Sequence, residues 1–482
     1  MKSGRVKLGI VGGLGARGGA DILNQLVEAT PVRSESDHRD ILFEQKPLTE
    51  TVPVSSPDYT PTHRKFYVFD TLARMEQNGC HVALLPCFIT HTFIEELAAE
   101  LPLELISIGD AIAGELKATW PEVRRIGVLT TPYVRKSRFF EKLLGENCEV
   151  VYPDDKAETA MLGAIYGPDG FKAGRALEDV RGEIELVIRS LAEEGVDLVL
   201  PGMTELPIIL RNMDRENGPR IIDVNAVYAT YALRQTSAKK RTPFKVGVVG
   251  GVGPAATVDF LRKVVASTAA QRDQDHIKLV VEQNPQIPDR TENLTKGGPD
   301  PTIALYSTCK KLEHAGAQII AIPCNTAHAY VDRLQRHLDI PIVSILSETV
   351  GHIQDMKPKV ERVAVLGTNG TIASQLYQTA LEQKALVPIV PDIEVQAKLM
   401  EAIYGPEGVK AGRTKGKCAE QLLDVINEVT RLGAEVAILG CTELPLIEFL
   451  GTEKPCIPLV DPTQVLATAC VRAAEMFASP RG

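Results

Sequence analysis

The stretch VGVVGGVGPAATVDFLRKVVAST, residues 246–268, passes from a β-branched apolar run through a glycine turn into a helical pattern. Short apolar runs alternating with such helices predict βαβ units and parallel sheets, an α/β fold. A close copy stands earlier as LGIVGGLGARGGADIL at 8–23, with an offset of 238 between Gly9 and Gly247. AIYGPDGFKAGR (164–175) and AIYGPEGVKAGR (402–413) keep that offset and share ten of twelve residues. PGMTELPII pairs with LGCTELPLI, so that Met203 faces Cys441. The chain is thus read as one unit of about 238 residues written twice. Its expected domains are 1–235 and 244–482, joined by the polar segment 236–243.

Each unit carries a fainter repeat. Val246 to Cys324 spans 78 positions, and so does Val363 to Cys441; each span runs from a strand opening to a Cys that follows another apolar run. Two flavodoxin-like, doubly wound lobes per unit are expected. Because ligands in such folds bind beyond the carboxyl ends of the strands, Cys324 and Cys441 should face one another across an interlobe cleft.

Composition narrows the function classes. At 482 residues, 44% hydrophobic and 24% charged, the chain reads as a multi-domain globular protein. A net charge of −9 with scattered Lys and Arg speaks against nucleic acid or an anionic membrane as partner. The N-terminus runs into a strand-like segment, and no apolar run approaches a bilayer-spanning length, so a cytoplasmic protein is expected. The nine Cys include no C-x-x-C pair, and no metal site is expected.

Two thiols at matched places on two related lobes suit a particular task. One thiolate removes a proton from carbon while the opposite thiol returns one to the other face, inverting the centre. A nucleophilic Cys is the other option, with His328, four residues after Cys324, as its base if the segment is helical. Two buried, merely packed Cys would be the bland reading. CNTAHAYVDRL and CTELPLIEFL both read as helix openings, which would favour an ionised thiol through backbone N–H groups. Asn325, Thr326 and Thr442 would supply hydrogen bonds to a carboxylate.

The C-terminal half resembles the cofactor-independent aspartate/glutamate racemase family, nearest its aspartate racemases. The resemblance rests on GGVGP (250–254), NPQIPDRT (284–291), PCNTAH (323–328), GTNGTIASQLY (367–377) and GCTEL (440–444), and covers almost all of 245–475. It implies two α/β lobes around a cleft, no pyridoxal phosphate, and Cys324 and Cys441 as the acid/base pair. By the same resemblance Asn325, Thr326 and Thr442 contact the α-carboxylate, with Thr368 also binding substrate. Arg290 is then the clamp on the distal carboxylate and Lys410 a second cation. A small dicarboxylic amino acid is the implied ligand, and a planar guanidinium suits it by a bidentate fork.

The N-terminal half departs from this pattern. Cys87 remains, but Phe88 and Ile89 stand where Asn325 and Thr326 do, and Met203 replaces Cys441. EQKPLTETVPV lacks the Arg of EQNPQIPDRT, and Val134 and Phe140 fall opposite Thr371 and Tyr377. Residues 1–235 are therefore read as a degenerate domain, a built-in partner forming an internal pseudo-dimer with the working half; further homo-oligomerisation is left open. Rival readings are a related Cys-dependent decarboxylase or isomerase of a dicarboxylic acid, and a non-catalytic amino-acid sensor. A dinucleotide site is the weakest, because GLGARG and GVGPAA lack an acidic residue at the expected distance and Pro254 removes a phosphate-facing N–H.

Overall fold

Apolar β-branched runs become buried central strands in the computed structural model, which describes residues 6–146, 148–211, 218–234, 244–449 and 454–478. The expected linker 236–243 lies outside the described residues. The chain divides into two units, Met1–Pro243 and Phe244–Gly482.

In the second unit the strands Lys245–Gly250, Lys278–Gln283, Ile319–Ala321 and Ile342–Val343 form one parallel sheet, in the order second, first, third, fourth. Val246 pairs with Leu279 on one side and Ile319 on the other. A second sheet of Arg362–Leu366, Val387–Ile389, Val436–Leu439 and Leu459–Val460 repeats that order. The first unit holds the same two sheets, led by Leu8–Val11 and Arg125–Leu129. The flavodoxin-like, doubly wound lobes read from the sequence are present in both halves. In this winding the strand order reverses beside the first strand and opens a crevice at the carboxyl ends.

Side-chain alternation assigns the strand faces to different cores in the second unit. Val246 and Val248 of one sheet and Val363 and Val365 of the other share a core with Phe260, Tyr377 and Leu466. Ile320 and Ile322 turn to the outer core of the first lobe, and Ala364 and Leu366 to that of the second. Full burial of each large side chain contributes about 1.5–3 kcal/mol. The last helix, Pro462–Ala478, returns to pack on Pro254–Ser267 and Ile345–Asp355 of the first lobe, which ties the lobes into one body.

The segments after the two cysteines differ from expectation. Thr326–Tyr330 is a 3₁₀ turn leading to the short helix Val331–Gln335, and Leu444–Leu446 is a single 3₁₀ turn. Neither Cys opens a regular α-helix. Hydrogen bonds from the second lobe tether the first turn, with Tyr377 Oη donating to Asn325 Oδ1 at 2.7 Å and the Thr326 and Thr371 hydroxyls 2.9 Å apart. After Leu446 the backbone extends at Ile447, and the N–H of Glu448 bonds Thr414 O. Among the described residues no helix is long and apolar enough to cross a membrane.

Candidate active site

A cleft lies between the lobes of the second unit, lined by Arg290, Cys324, Asn325, Thr326, Thr368, Lys410, Cys441 and Thr442. All eight sequence candidates in this half therefore meet at one place. Cys324 follows the strand Ile319–Ala321 and Cys441 follows Val436–Leu439, so each sulfur sits at a strand end, 7% and 5% exposed respectively. Thr291, Tyr404, Val252, Gly440 and Glu443 complete the lining.

Arg290 begins the helix Arg290–Lys296, whose cap Asp289 accepts from Glu292 N at 2.8 Å. Its Nη1 donates to Ile287 O at 3.3 Å and Pro288 O at 3.1 Å, while its buried Nε has no partner. Burial works against the guanidinium charge, but Cys324 and Asp289 outweigh it and hold the pKa above its ordinary value. Asn325 shows the same incompleteness: Oδ1 is taken by Tyr377, and Nδ2 is buried without a partner. An unsatisfied buried donor costs about 1–3 kcal/mol, so two of them on neighbouring walls prepare the cleft for acceptor groups.

Hydroxyls join the lobes beside these donors. Thr368 caps the helix Asn369–Ala373, taking Thr371 N at 3.2 Å, and lies 3.0 Å from the Thr291 hydroxyl and 3.3 Å from that of Thr326.

The two thiols have unlike surroundings. Cys441 donates to Glu443 Oε2 at 3.2 Å, and the other carboxylate oxygen takes Lys410 Nζ at 2.6 Å. Burial first, and the Glu443 charge next, push the Cys441 thiol well above its ordinary pKa, so it keeps its proton at neutral pH. Cys324 instead faces Arg290. Lys410, read as a second substrate cation, lines the cleft with its charge already committed to Glu443. His328 is no base for Cys324: its Nδ1 lies 2.9 Å from Cys324 O and its Nε2 accepts from Ile345 N at 3.2 Å. Burial lowers its pKa, which keeps the ring neutral.

The first unit has a corresponding cleft, lined by Cys87, Phe88, Ile89, Thr131, Val134, Lys172, Met203 and Glu205 among others. The Tyr377–Asn325 hydrogen bond is replaced by the Phe140 and Phe88 rings, with centroids 5.5 Å apart. Lys172 and Glu205 keep the ion pair at 2.7 Å. The guanidinium is not lost, contrary to the reading of EQKPLTETVPV: Arg64 supplies one, its Nη1 donating to Cys87 Sγ at 2.9 Å. Arg64 comes from the first turn of Thr62–Gln77, a 16-residue helix whose counterpart Thr302–His314 has 13 residues, and at the repeat offset it stands opposite Thr302, so comparing the repeats showed no shared guanidinium. Glu443 and Tyr404 were missed for another reason. They stand in motifs shared with Glu205 and Tyr166, and that identity was itself the available signal.

Comparisons with known proteins agree with this architecture. The family described as Asp/Glu/Hydantoin racemase matches residues 11–232 and again 249–470. The broad specificity amino-acid racemase RacX of Bacillus subtilis (strain 168) is 28% identical over 238 residues, 47% of this chain and 96% of the relative. A glutamate racemase of Corynebacterium kroppenstedtii is 33% identical over 157 residues, 31% of this chain and 51% of the relative. Among solved structures, the aspartate racemase of Picrophilus torridus is similar at 31% identity with a TM-score of 0.42, covering 48% of this chain and 94% of its own. With both halves matched, the chain belongs to the Asp/Glu/hydantoin racemase family, as a tandem duplication.

Proposed function

We propose that the second unit racemises an acidic amino acid, aspartate in preference to glutamate, by a two-cysteine mechanism that uses no pyridoxal phosphate. The observation that carries this reading is one cleft lined by two thiols and by the partnerless donors Arg290 Nε and Asn325 Nδ2. The α-carboxylate fits Asn325 Nδ2 with the Thr326 and Thr442 hydroxyls, and the distal carboxylate fits Arg290. Cys324 takes the Cα proton, and the charge left on the α-carboxylate side is held by donors already in place. Cys441 delivers its proton to the opposite face, leaving the thiols with exchanged protonation states. Glu443 and Lys410 orient Cys441 rather than hold substrate. Aspartate is preferred on the motif resemblance, since either acid presents the same two carboxylates.

The first unit is proposed to have no part in this chemistry, because Met203 carries no proton to return. It serves the second as a built-in partner, in place of a second copy of the enzyme. If residues 244–482 alone proved as stable and as active as the full chain, that partner role would fall.

Proton NMR in D₂O tests the activity on the full chain, Cys324→Ala and Cys441→Ala, without added cofactor. Loss of the Cα proton of L-aspartate with accumulation of the D-enantiomer is expected, and neither variant should racemise. Absence of exchange with both L-aspartate and L-glutamate would overturn the reading in favour of a decarboxylase, an isomerase or a sensor.

A further inference from the structure

The helix Ile393–Tyr404 carries an apolar stripe on the solvent side of the second lobe. Ile393, Ala397, Met400 and Tyr404 recur at the spacing of one helix face and line a depression together with Gln396 and Glu401. Ile393 is 89% exposed. At the repeat offset the first unit has Asp155 and Thr159 where Ile393 and Ala397 stand, so polar residues break the stripe there. The depression adjoins the candidate cleft, because Tyr404 lines both.

One amide on this wall lacks a donor. Gln396 Nε2 donates to Gly367 O at 3.0 Å and to Asn369 Oδ1 at 2.9 Å, and these two acceptors fix which way the amide points. Its Oε1 is buried and has no partner. A buried acceptor without a donor is costly, and a donor brought to it relieves that cost. The first unit fills the equivalent place from its own chain. Glu158, the repeat counterpart of Gln396, takes Arg135 Nη1 at 2.9 Å, and the guanidinium lies 4.7 Å from the centre of the Tyr152 ring. In the second unit Ala373 stands in the place of Arg135, so that cation is missing. Glu401, in the place of Gly163, adds a carboxylate to the same wall. A ligand that suits this wall brings an N–H donor, a positive charge and a short apolar body. A dicarboxylate does not suit it, having no proton for Gln396 Oε1 and a like charge to Glu401.

We propose that this depression is a second ligand site, one that takes a small organic cation, a guanidinium or ammonium on an apolar chain, in the place that Arg135 fills from within the first unit. The cation donates to Gln396 Oε1 and faces Glu401, and its chain lies along Ile393, Ala397 and Met400. Gly367 and Asn369, which hold the Gln396 amide, flank Thr368 of the cleft, so the site stands behind one of the cleft walls. Its existence does not rest on the racemase reading.

The test titrates the full chain with n-butylguanidinium and, in parallel, with butyrate, an anion on a similar apolar body, and follows binding by saturation-transfer NMR. The cation should bind on the order of tenfold tighter than the anion, since it alone offers charge-assisted N–H donors. Gln396→Leu removes the acceptor and should weaken binding of the cation by on the order of tenfold. Ala373→Arg should weaken it at least as much, because the new guanidinium takes the place of the ligand as Arg135 does in the first unit. Ala373 is exposed, so this variant decides alone if thermal melts show that Gln396→Leu does not fold. Butyrate bound as tightly as the cation would overturn the proposal, as would butylguanidinium binding unchanged in Ala373→Arg.

Discussion

Glu443 touches Cys441 through one oxygen and Lys410 through the other, so a single carboxylate governs both the placement and the protonation of a thiol. Burial and the Glu443 charge both raise the Cys441 pKa. Glu443→Gln removes the second cause and frees the Lys410 cation, and both changes favour the thiolate. In the direction of turnover that uses Cys441 as acid, the alkaline limb of the pH–rate profile should move to lower pH. Turnover should fall by about 10–100-fold with KM little changed, within the range that positioned acid/base groups supply. Profiles for both enantiomers check this; an unmoved limb would sink the role given to Glu443. Cys324 and Cys441, with Asn325, Thr326 and Thr442 beside them, were legible in the sequence as residues of one cleft because they follow strands at matched repeat spacing. Glu443 was not, because Glu205 stands at the same place in the half that lacks the second thiol, so comparing the halves set up no contrast there. Arg64 was not, because it acts from a helical turn that has no counterpart in the other half.

At the scale of elements, the glycine turn between the first strand and the first helix of the second unit looked from its rhythm like a dinucleotide loop. Its glycines answer to a different neighbour. Gly253 has φ +112°, and a Cβ there would stand 2.5 Å from Glu443 Oε1, so the turn must be bare for the second lobe to bring its carboxylate home. Gly253→Ala combines a left-handed backbone with that clash and should destabilise the unit by about 1–3 kcal/mol. Turnover should fall with it, since Glu443 has to move. Gly316→Ala is the control: φ is +80°, yet the nearest heavy atom to the added Cβ is Lys245 Nζ at 3.7 Å, so a Tm loss is expected with turnover intact. Thermal melts and steady-state rates on the same samples separate the two; equal effects on turnover would contradict the close-approach account. The sheets themselves were readable from Val- and Ile-rich runs buried on both faces. The 3₁₀ turns after the cysteines were not, because contacts remote in sequence hold them, the first to Tyr377 and Thr371 of the opposite lobe and the segment after the second to Thr414 of its own lobe.

At the scale of the whole chain, the two halves share a buried neutral histidine and differ in what lines their clefts. In the first unit His91 Nε2 lies 3.0 Å from Leu85 O and Nδ1 accepts from Ile108 N at 3.4 Å, a neutral ring like that of His328. Burial lowers the His91 pKa to about 4. An unfolded His takes its proton near 6.5, so between those values the unfolded state binds more protons; stability is full above about pH 6.5 and falls by about 3 kcal/mol toward pH 4. Denaturant melts should show that loss, and His91→Gln should flatten it. Ligand binding should instead tell the halves apart. Among the described residues the second cleft holds the partnerless donors Arg290 Nε and Asn325 Nδ2, and Arg290 makes no ion pair there, whereas the first cleft has paired its cations with Glu50 and Glu205. Calorimetric titration of the full chain with succinate, which carries both carboxylates and no amine, should therefore give one site per chain. Arg290→Gln should remove that site, while Arg64→Gln should leave it. A stoichiometry of two, or retention of binding in the Arg290 variant, would mean that the first cleft accepts dicarboxylates after all, and the division of labour between the halves would have to be abandoned.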